Sequence, residues 1–321
     1  MSKKKAATKR SQAPMAIGLD FGGTTVKLAV CQGAKVVHKA EPIETARHDG
    51  VDALIGAMVE SITAIRKRFP KVSAVGAGVP GFVDFDSGFL HNLTNVPGWT
   101  NVPFKTILEQ KLKLPVTVEN DANAMAYAEW RFGAAKGHTN VVCVTLGTGV
   151  GGGLILNDKL FRGSSYGAGE IGQMSINFRG RKGGYGNPGA LERYVGNQQI
   201  EAHAIQSYAA VGQSKKRGDC TPRHIAEWAA AGDPIARKIW GDVGIWLGNA
   251  LTSIVWILNP DAIVIGGGVA NAGELLFAPV QRHMQSTLNP VFFEHLDILP
   301  AKFGNEAGVI GCAALAIDEL G

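Results

Sequence analysis

The sequence predicts an α/β protein of two lobes around a cleft, and three observations carry that expectation. Short apolar runs of strand character alternate with helix-length amphipathic stretches from Ala16 almost to the C-terminus. A strand, a Gly/Thr hairpin and a second strand occur twice. They stand at Gly18-Leu19-Asp20-Phe21-Gly22-Gly23-Thr24 and at Val144-Thr145-Leu146-Gly147-Thr148-Gly149, roughly 125 residues apart, as in a duplicated fold with facing halves. Between them, at Val118-Glu119-Asn120-Asp121-Ala122-Asn123, an apolar run ends in a polar cluster and a helix-forming run, Ala122 to Phe132, begins. A strand-to-helix junction is where α/β proteins usually present reactive groups.

The 321 residues suit two domains or one large one, and 45% hydrophobic with 18% charged residues is ordinary for a globular protein. The 42 glycines exceed the usual share of about 7% and gather in turns. The net charge of +5 comes largely from Lys3, Lys4, Lys5, Lys9 and Arg10, so it is no sign of a nucleic-acid surface. Residues 1–14 read as a disordered basic tail without the apolar core of a secretory signal. No run approaches the length of a membrane span, so neither nucleic acid nor membrane is an expected partner. Cys31, Cys143, Cys220 and Cys312 lie far apart with no CxxC pair, and all but Cys220 sit in apolar stretches. That implies a reducing, cytoplasmic setting. The histidines show no metal-ligand spacing.

In chain order, Ala16 to Asp20 is a strand, Phe21 to Thr25 a turn, Val26 to Val30 a strand, and Val36 to Ala40 a third. The Gly-Gly-Thr tip exposes N–H groups and a hydroxyl that suit phosphate oxygens, and Asp20 beside it can hold Mg²⁺ through water. A plain hairpin with Asp as turn former accounts for the same residues equally well. Gly50 to Phe69 carries Leu54, Ile55, Met58, Ile62 and Ile65 at three- and four-residue steps, a helix stopped by Pro70. Val72 to Val79 is a strand, Pro80-Gly81-Phe82-Val83-Asp84 a turn, and Asn92 to Trp99 a loop. Asn95 in that loop can bind a polyhydroxylated ligand or form an Asx-turn.

After the central junction, Asn140 to Leu146 is a strand leading through Gly147–Gly153 to a strand at Leu154-Ile155-Leu156. Gly147, Gly149 and Gly152 spell G-x-G-x-x-G, but a strand follows where a dinucleotide site needs a helix. Gly163-Ser164-Ser165-Tyr166-Gly167 spells G-x-S-x-G without the following helix of a nucleophile elbow. Glu170 and Glu192 stand in glycine-rich surroundings and accept from hydroxyls if they face a cleft. Asp233-Pro234 opens the longest helix, ending at Asn259-Pro260, apolar over much of its circumference and suited to a buried or subunit-interface position. Ala262 to Ile265 is a strand, Gly266-Gly267-Gly268-Val269 opens a helix, and Gly304 to Leu320 closes the chain as a helix.

These residues together resemble the ROK family of sugar kinases, repressors and related open reading frames, within the actin-like ATPase superfamily. The resemblance runs from Ile17 to Leu320 on eight motifs in order. They are Asp20-Phe21-Gly22-Gly23-Thr24 with Lys27, Val79-Pro80-Gly81, Asn95-Val96-Pro97-Gly98-Trp99, and Glu119-Asn120-Asp121-Ala122-Asn123. Leu146-Gly147-Thr148-Gly149, Gly169-Glu170-Ile171-Gly172, Gly186-Asn187-Pro188-Gly189 with Leu191-Glu192, and Gly266-Gly267-Gly268 follow. The resemblance implies a two-lobed actin-like ATPase fold, a duplicated ribonuclease H-like architecture with a central nucleotide and sugar cleft. A smaller lobe of residues 15–122 plus 306–321 and a larger one of 123–305 are expected, as is a homodimer.

It also implies ATP and Mg²⁺ as cofactors and phosphoryl transfer to a sugar hydroxyl. Gly22, Gly23, Thr24, Lys27, Gly147, Thr148 and Gly149 would hold phosphates, Asp20 would position Mg²⁺ through water, and Gly267 and Gly268 would border adenosine. Gly81, Asn95, Asn120, Glu170, Gln173 and Glu192 would line the sugar site, and Asp121 would be the catalytic base. Taken without the resemblance, Asp121 reads as an N-cap. Many family members hold a zinc ion with one His and three Cys, where this chain has Gln173, Gly183, Tyr185 and Ala190, so no zinc is expected. The segment 179–188 is then held by packing alone, or is mobile until substrate arrives. The expected activity is a hexose kinase acting on the 6-hydroxyl, with glucose as acceptor. A kinase for another hexose or N-acetylhexosamine, polyphosphate as donor, or a non-catalytic sugar-binding regulator of the same family are the alternatives. A repressor would need a helix-turn-helix before the first phosphate loop, where this sequence has only the short basic tail.

Overall fold

The computed structural model describes residues 13–93, 96 and 98–321; residues 1–12 of the expected tail, and Asn95, lie outside them. The first half is β1 (Met15–Phe21), β2 (Thr25–Gln32), β3 (Lys35–Lys39), β4 (Ile43–Glu44), α1 (Gly50–Arg68), β5 (Val72–Val79), β6 (Gly81–Asp84), β7 (Phe89–Leu93), β8 (Thr100–Val102), α2 (Phe104–Leu112), β9 (Val116–Asn120) and α3 (Asp121–Phe132). The second is β10 (Val141–Leu146), β11 (Val150–Leu156), β12 (Lys159–Phe161), α4 (Glu192–Val195), α5 (Asn197–Ala209), α6 (Pro222–Ala230), α7 (Pro234–Leu258), β13 (Ala262–Gly266), α8 (Glu274–Thr287), α9 (Pro290–Phe293), β14 (Asp297–Pro300) and α10 (Ala307–Asp318).

The duplication inferred from the two hairpins is written into the sheets. One runs β3-β2-β1-β5-β9, with β4 beside β2, and the other runs β12-β11-β10-β13-β14. In each, three antiparallel strands are followed by two parallel ones. The parallel strands are almost wholly apolar because both faces are covered. On one face of the first sheet, Leu54, Ile55, Met58, Ile62 and Ile65 of α1 join Phe104 and Leu108 of α2 around Phe21 and Trp99. The second sheet packs against α7 and α8, with Trp240, Leu247 and Val280 in its core.

The other faces are covered by exchanged helices. Ala126 of α3, which leaves the first sheet, packs with Val141, Cys143 and Ile155 of the second. Val309, Ile310 and Ala313 of α10, which leaves the second sheet, pack with Ala16, Ala29 and Ala74 of the first. α3 and α10 themselves touch through backbone: a Cβ at Gly311 would stand 1.7 Å from the Ala124 carbonyl oxygen, so only glycine permits this crossing.

Several expectations are corrected. Gly81–Asp84 is strand β6 rather than a turn, and with β7 and β8 it makes a third, three-stranded sheet that also takes in Asn92 and Leu93 of the expected loop. The glycines at 151–153 already belong to β11, paired to β10 across the hairpin. Gly268–Ala272 is a 3-10 turn, and α8 starts only at Glu274. Gly304–Glu306 is likewise a 3-10 turn before α10. Cys220 is as buried as the other three cysteines. By length and a mean hydropathy of 1.3, α7 is the one helix among the described residues that suits a membrane span, contrary to the sequence expectation; half of that stretch is buried in the protein.

Candidate active site

The site starts at the C-terminal end of β9, where parallel pairing sets Asn120 beside Val79 and brings the following Gly81 close. The Asn120 side chain caps α3: its Oδ1 accepts from the N–H groups of Ala122 (2.9 Å) and Asn123 (3.1 Å). Its Nδ2 donates to the Gly81 carbonyl at 3.2 Å, which leaves one amide hydrogen for a hydroxyl. The cap is therefore Asn120 and not Asp121, the structural role that the sequence alone suggested for the acid.

Asp121 occupies the first position of α3, half-buried, with Oδ1 accepting from the Ala122 N–H at 2.9 Å. Burial pushes its carboxyl up from 3.8 to about 7, helped by repulsion from Asp20 and Glu170 and opposed by the Ala122 N–H. A carboxylate with that proton affinity can take a proton near neutral pH.

Asp121 opens on a cleft of about 790 Å³ between the two sheets. The cleft brings together Gly81, Asn120, Asp121, Gly147, Thr148, Gly149, Glu170, Gln173, Glu192 and Gly267. A second cavity of about 250 Å³ contains Asp20, Lys27, Gly267 and Gly268, and the two meet at Met125, Thr145 and Gly267. Gly267 has φ +86°, and a Cβ there would stand 2.3 Å from the Leu146 carbonyl oxygen, so the turn after β13 approaches β10 only as glycine. Gly22, Gly23 and Thr24 line neither cavity; their turn is buttressed by Thr45, whose Oγ1 donates to the Gly23 carbonyl at 2.9 Å.

At the opposite wall, Glu170 has its carboxyl raised by burial and by repulsion from Glu192. Two acids facing one cleft suit acceptance from hydroxyl donors. Gln173 lies next to Asn187, whose Nδ2 donates to the Gln173 carbonyl at 2.6 Å; Gln173 Oε1 and Asn187 Oδ1 are buried without a partner among the described residues. The segment that follows is fastened by more than packing. Gly183 N–H donates to the Asn187 carbonyl (2.7 Å), Gly189 N–H to the Arg181 carbonyl (2.7 Å) and Ser175 Oγ to the Pro188 carbonyl (2.6 Å).

The residues present fit the implied ligands. Nothing lies within 4 Å of a Cβ built at Gly147 or Gly268, which leaves open backbone for phosphate and adenosine. Asp20 sits 3.4 Å from the Lys27 ammonium, and one carboxylate completed by phosphate oxygens and water is the usual magnesium arrangement. Among the described residues no three His, Cys, Asp or Glu side chains gather as a metal cage.

Sequence reasoning missed Phe82, Thr145 and Tyr185 as lining residues and Arg162 behind the junction. Phe82 and Thr145 carried no local signal. Glu119 did carry one, as a charge at the end of a buried strand that demands a partner.

The ROK family model matches residues 16–319. The chain is 36% identical over 308 residues to a glucokinase of Halalkalibacterium halodurans, covering 92% of each. A crystal structure of a ROK family glucokinase from Streptomyces griseus in complex with glucose and AMPPNP is 32% identical and superposes with a TM-score of 0.79, over 95% of this chain and 99% of that one. The chain is also 28% identical over 312 residues to a xylose repressor of Bacillus subtilis, covering 96% of this chain and 78% of the repressor.

Proposed function

The chain belongs to the ROK family, with its two-lobed actin-like ATPase fold, and on that premise we propose that it is an ATP-dependent hexose kinase. It transfers the γ-phosphoryl group to the 6-hydroxyl of glucose. The carrying observation is Asp121: it is half-buried at a capped helix start, faces the cleft opposite the Gly147–Gly149 turn, and holds its proton up to about 7. The similarity to glucokinases supports the sugar and the donor.

In this reading Glu170, Glu192, Gln173, Asn120 and Asn95 orient the sugar, while Gly147, Thr148, Gly149 and the Gly22-Gly23-Thr24 turn hold phosphates. Asp20 would hold Mg²⁺, which would supply charge neutralisation. Asp121 accepts the hydroxyl proton as the sugar oxygen bonds to the γ-phosphorus and the bond to the departing ADP oxygen breaks. The reading keeps the lobes at 15–122 plus 306–321 and 123–305, a cytoplasmic location, and a homodimer. Exposed Trp256 and Ile257 on α7, with Phe292 packed against the Trp256 ring, support a subunit contact.

The test is ADP release on a panel of hexoses with Mg-ATP, with the Asp121→Asn variant beside the wild type. Glucose-dependent release, lost in the variant while glucose still binds, supports the kinase and its base together. The similarity to the xylose repressor favours a second reading, a sugar-binding regulator. Hexose binding without ADP release from any hexose would select it.

A further inference from the structure

Two segments outside the phosphate turns meet across the sugar end of the cleft. One is the loop 162–170, which leaves the edge strand β12 and ends on Glu170; the other is the β6–β7 hairpin of the first half. Arg162 makes the central contact. Its Nε donates to Glu119 Oε2 at 2.7 Å, and its guanidinium carbon stands 3.5 Å from the centroid of the Phe85 ring. Glu119 is 3% exposed, and its other oxygen accepts from the Asn120 N–H (2.8 Å) and from Asn123 Nδ2 (3.0 Å). The carboxylate paired to Arg162 thus holds the backbone of the residue before Asp121.

Further contacts join the same two segments. Tyr166 Oη donates to Asp86 Oδ2 at 2.7 Å, and Gly167 lies against the Phe82 ring, which lines the cleft. Tyr166 has φ +58°, a conformation an aromatic residue seldom adopts unless its surroundings hold it there. The Ala168 N–H donates to the Arg162 carbonyl at 3.0 Å, so the loop closes on itself before it reaches Glu170.

We propose that Arg162 is a positioning residue: clamped between Glu119 and Phe85, it fixes the loop carrying Glu170 against the junction carrying Asn120 and Asp121, and so sets the sugar-binding geometry. Tyr166 and Asp86 form the outer half of the same latch. The proposal rests on the sugar-site reading above. A planar guanidinium fits a carboxylate and an aromatic face at once, which an ammonium does not. A buried ion pair contributes little to net stability, so its use here is orientation.

The test compares Arg162→Ala, Arg162→Lys and Tyr166→Phe with wild type, by calorimetric glucose binding in the absence of nucleotide and by steady-state kinetics. Arg162→Ala is expected to weaken glucose binding by about tenfold or more while the KM for ATP stays within about twofold. Lysine restores only part of the affinity, and Tyr166→Phe loses a few-fold. Because Arg162→Ala leaves Glu119 buried and unpaired, the double variant Glu119→Gln with Arg162→Leu separates the roles. The latch predicts that it recovers thermal stability but not glucose affinity; recovery of both would make the pair merely structural and overturn the proposal. Unchanged glucose affinity in folded Arg162→Ala would overturn it too. A failed kinase reading shows instead as no ADP release from a wild type that binds glucose, and leaves the binding comparison intact.

Discussion

The two halves end in the same way, and in the proposed reading only one end carries chemistry. β9 and β14 are the last parallel strands of sheets with the same strand order, and each feeds a helix that crosses to the other sheet. At the first junction Asn120 caps α3 and Asp121 faces the cleft. At the second the chain passes through a 3-10 turn, no side chain among the described residues caps α10, and the first helical residue is Ala307. Glu129 of α3 ties that second junction down: its Oε1 accepts from the N–H groups of Lys302 and Phe303, each at 2.8 Å. Duplication thus supplies two equivalent frames; in the proposed reading one serves the reaction, and the other buries α10.

Changes at the two junctions therefore differ in kind, and four expectations sharpen the contrast. Asp121→Asn has the largest effect, a loss of turnover of about 10²–10⁴-fold with glucose binding retained, read by ADP release and calorimetry. At the other junction Glu129→Ala removes a buried carboxylate that accepts from three backbone N–H groups, those of Lys302, Phe303 and Ala134. It lowers stability by about 3 kcal/mol or more in urea unfolding. If Glu129→Ala instead lowered turnover in a chain of unchanged stability, the division of labour would be wrong.

Asp121 also gives the first junction a pH signature. Between 3.8 and about 7 the folded chain keeps a proton that the unfolded chain releases. Stability from this group therefore falls as pH rises through that window and is lowest above it. Asp121→Asn removes the effect, so the variant gains about 2 kcal/mol over wild type at about pH 8 and almost nothing below about pH 4. Equal gains at both pH values would contradict the raised carboxyl. Asn120→Ala has the smallest effect, about 1 kcal/mol for the lost cap in the same unfolding assay, with weaker glucose binding. No change in either would remove Asn120 from both roles.

What was legible in the sequence was local. The hairpins at Gly22–Thr24 and Gly147–Gly149, the α1 and α7 periodicities and the Asp233 cap all rest on neighbouring residues, and each forms as read. The third sheet was not legible, because Pro80-Gly81 reads as a turn and β6 owes its strand form to pairing with β7. The N-cap reading fell on Asp121 because Asp and Asn are both good caps; backbone direction at the strand end decides for Asn120. Arg162 was invisible because its partners, Glu119 and Phe85, lie far away in sequence. The loop that replaces the zinc segment closes through Asn187 and backbone groups, which no residue type announces.

In the proposed reading Asp121 works as a base with its carboxyl held near neutrality. The most direct measurement is the pH dependence of kcat/KM for glucose in the wild type, which reports the free enzyme's essential base. A fall in kcat/KM below about pH 7, with the slope of one group, is the predicted result. A profile flat from about pH 5 to about pH 8 would contradict the account.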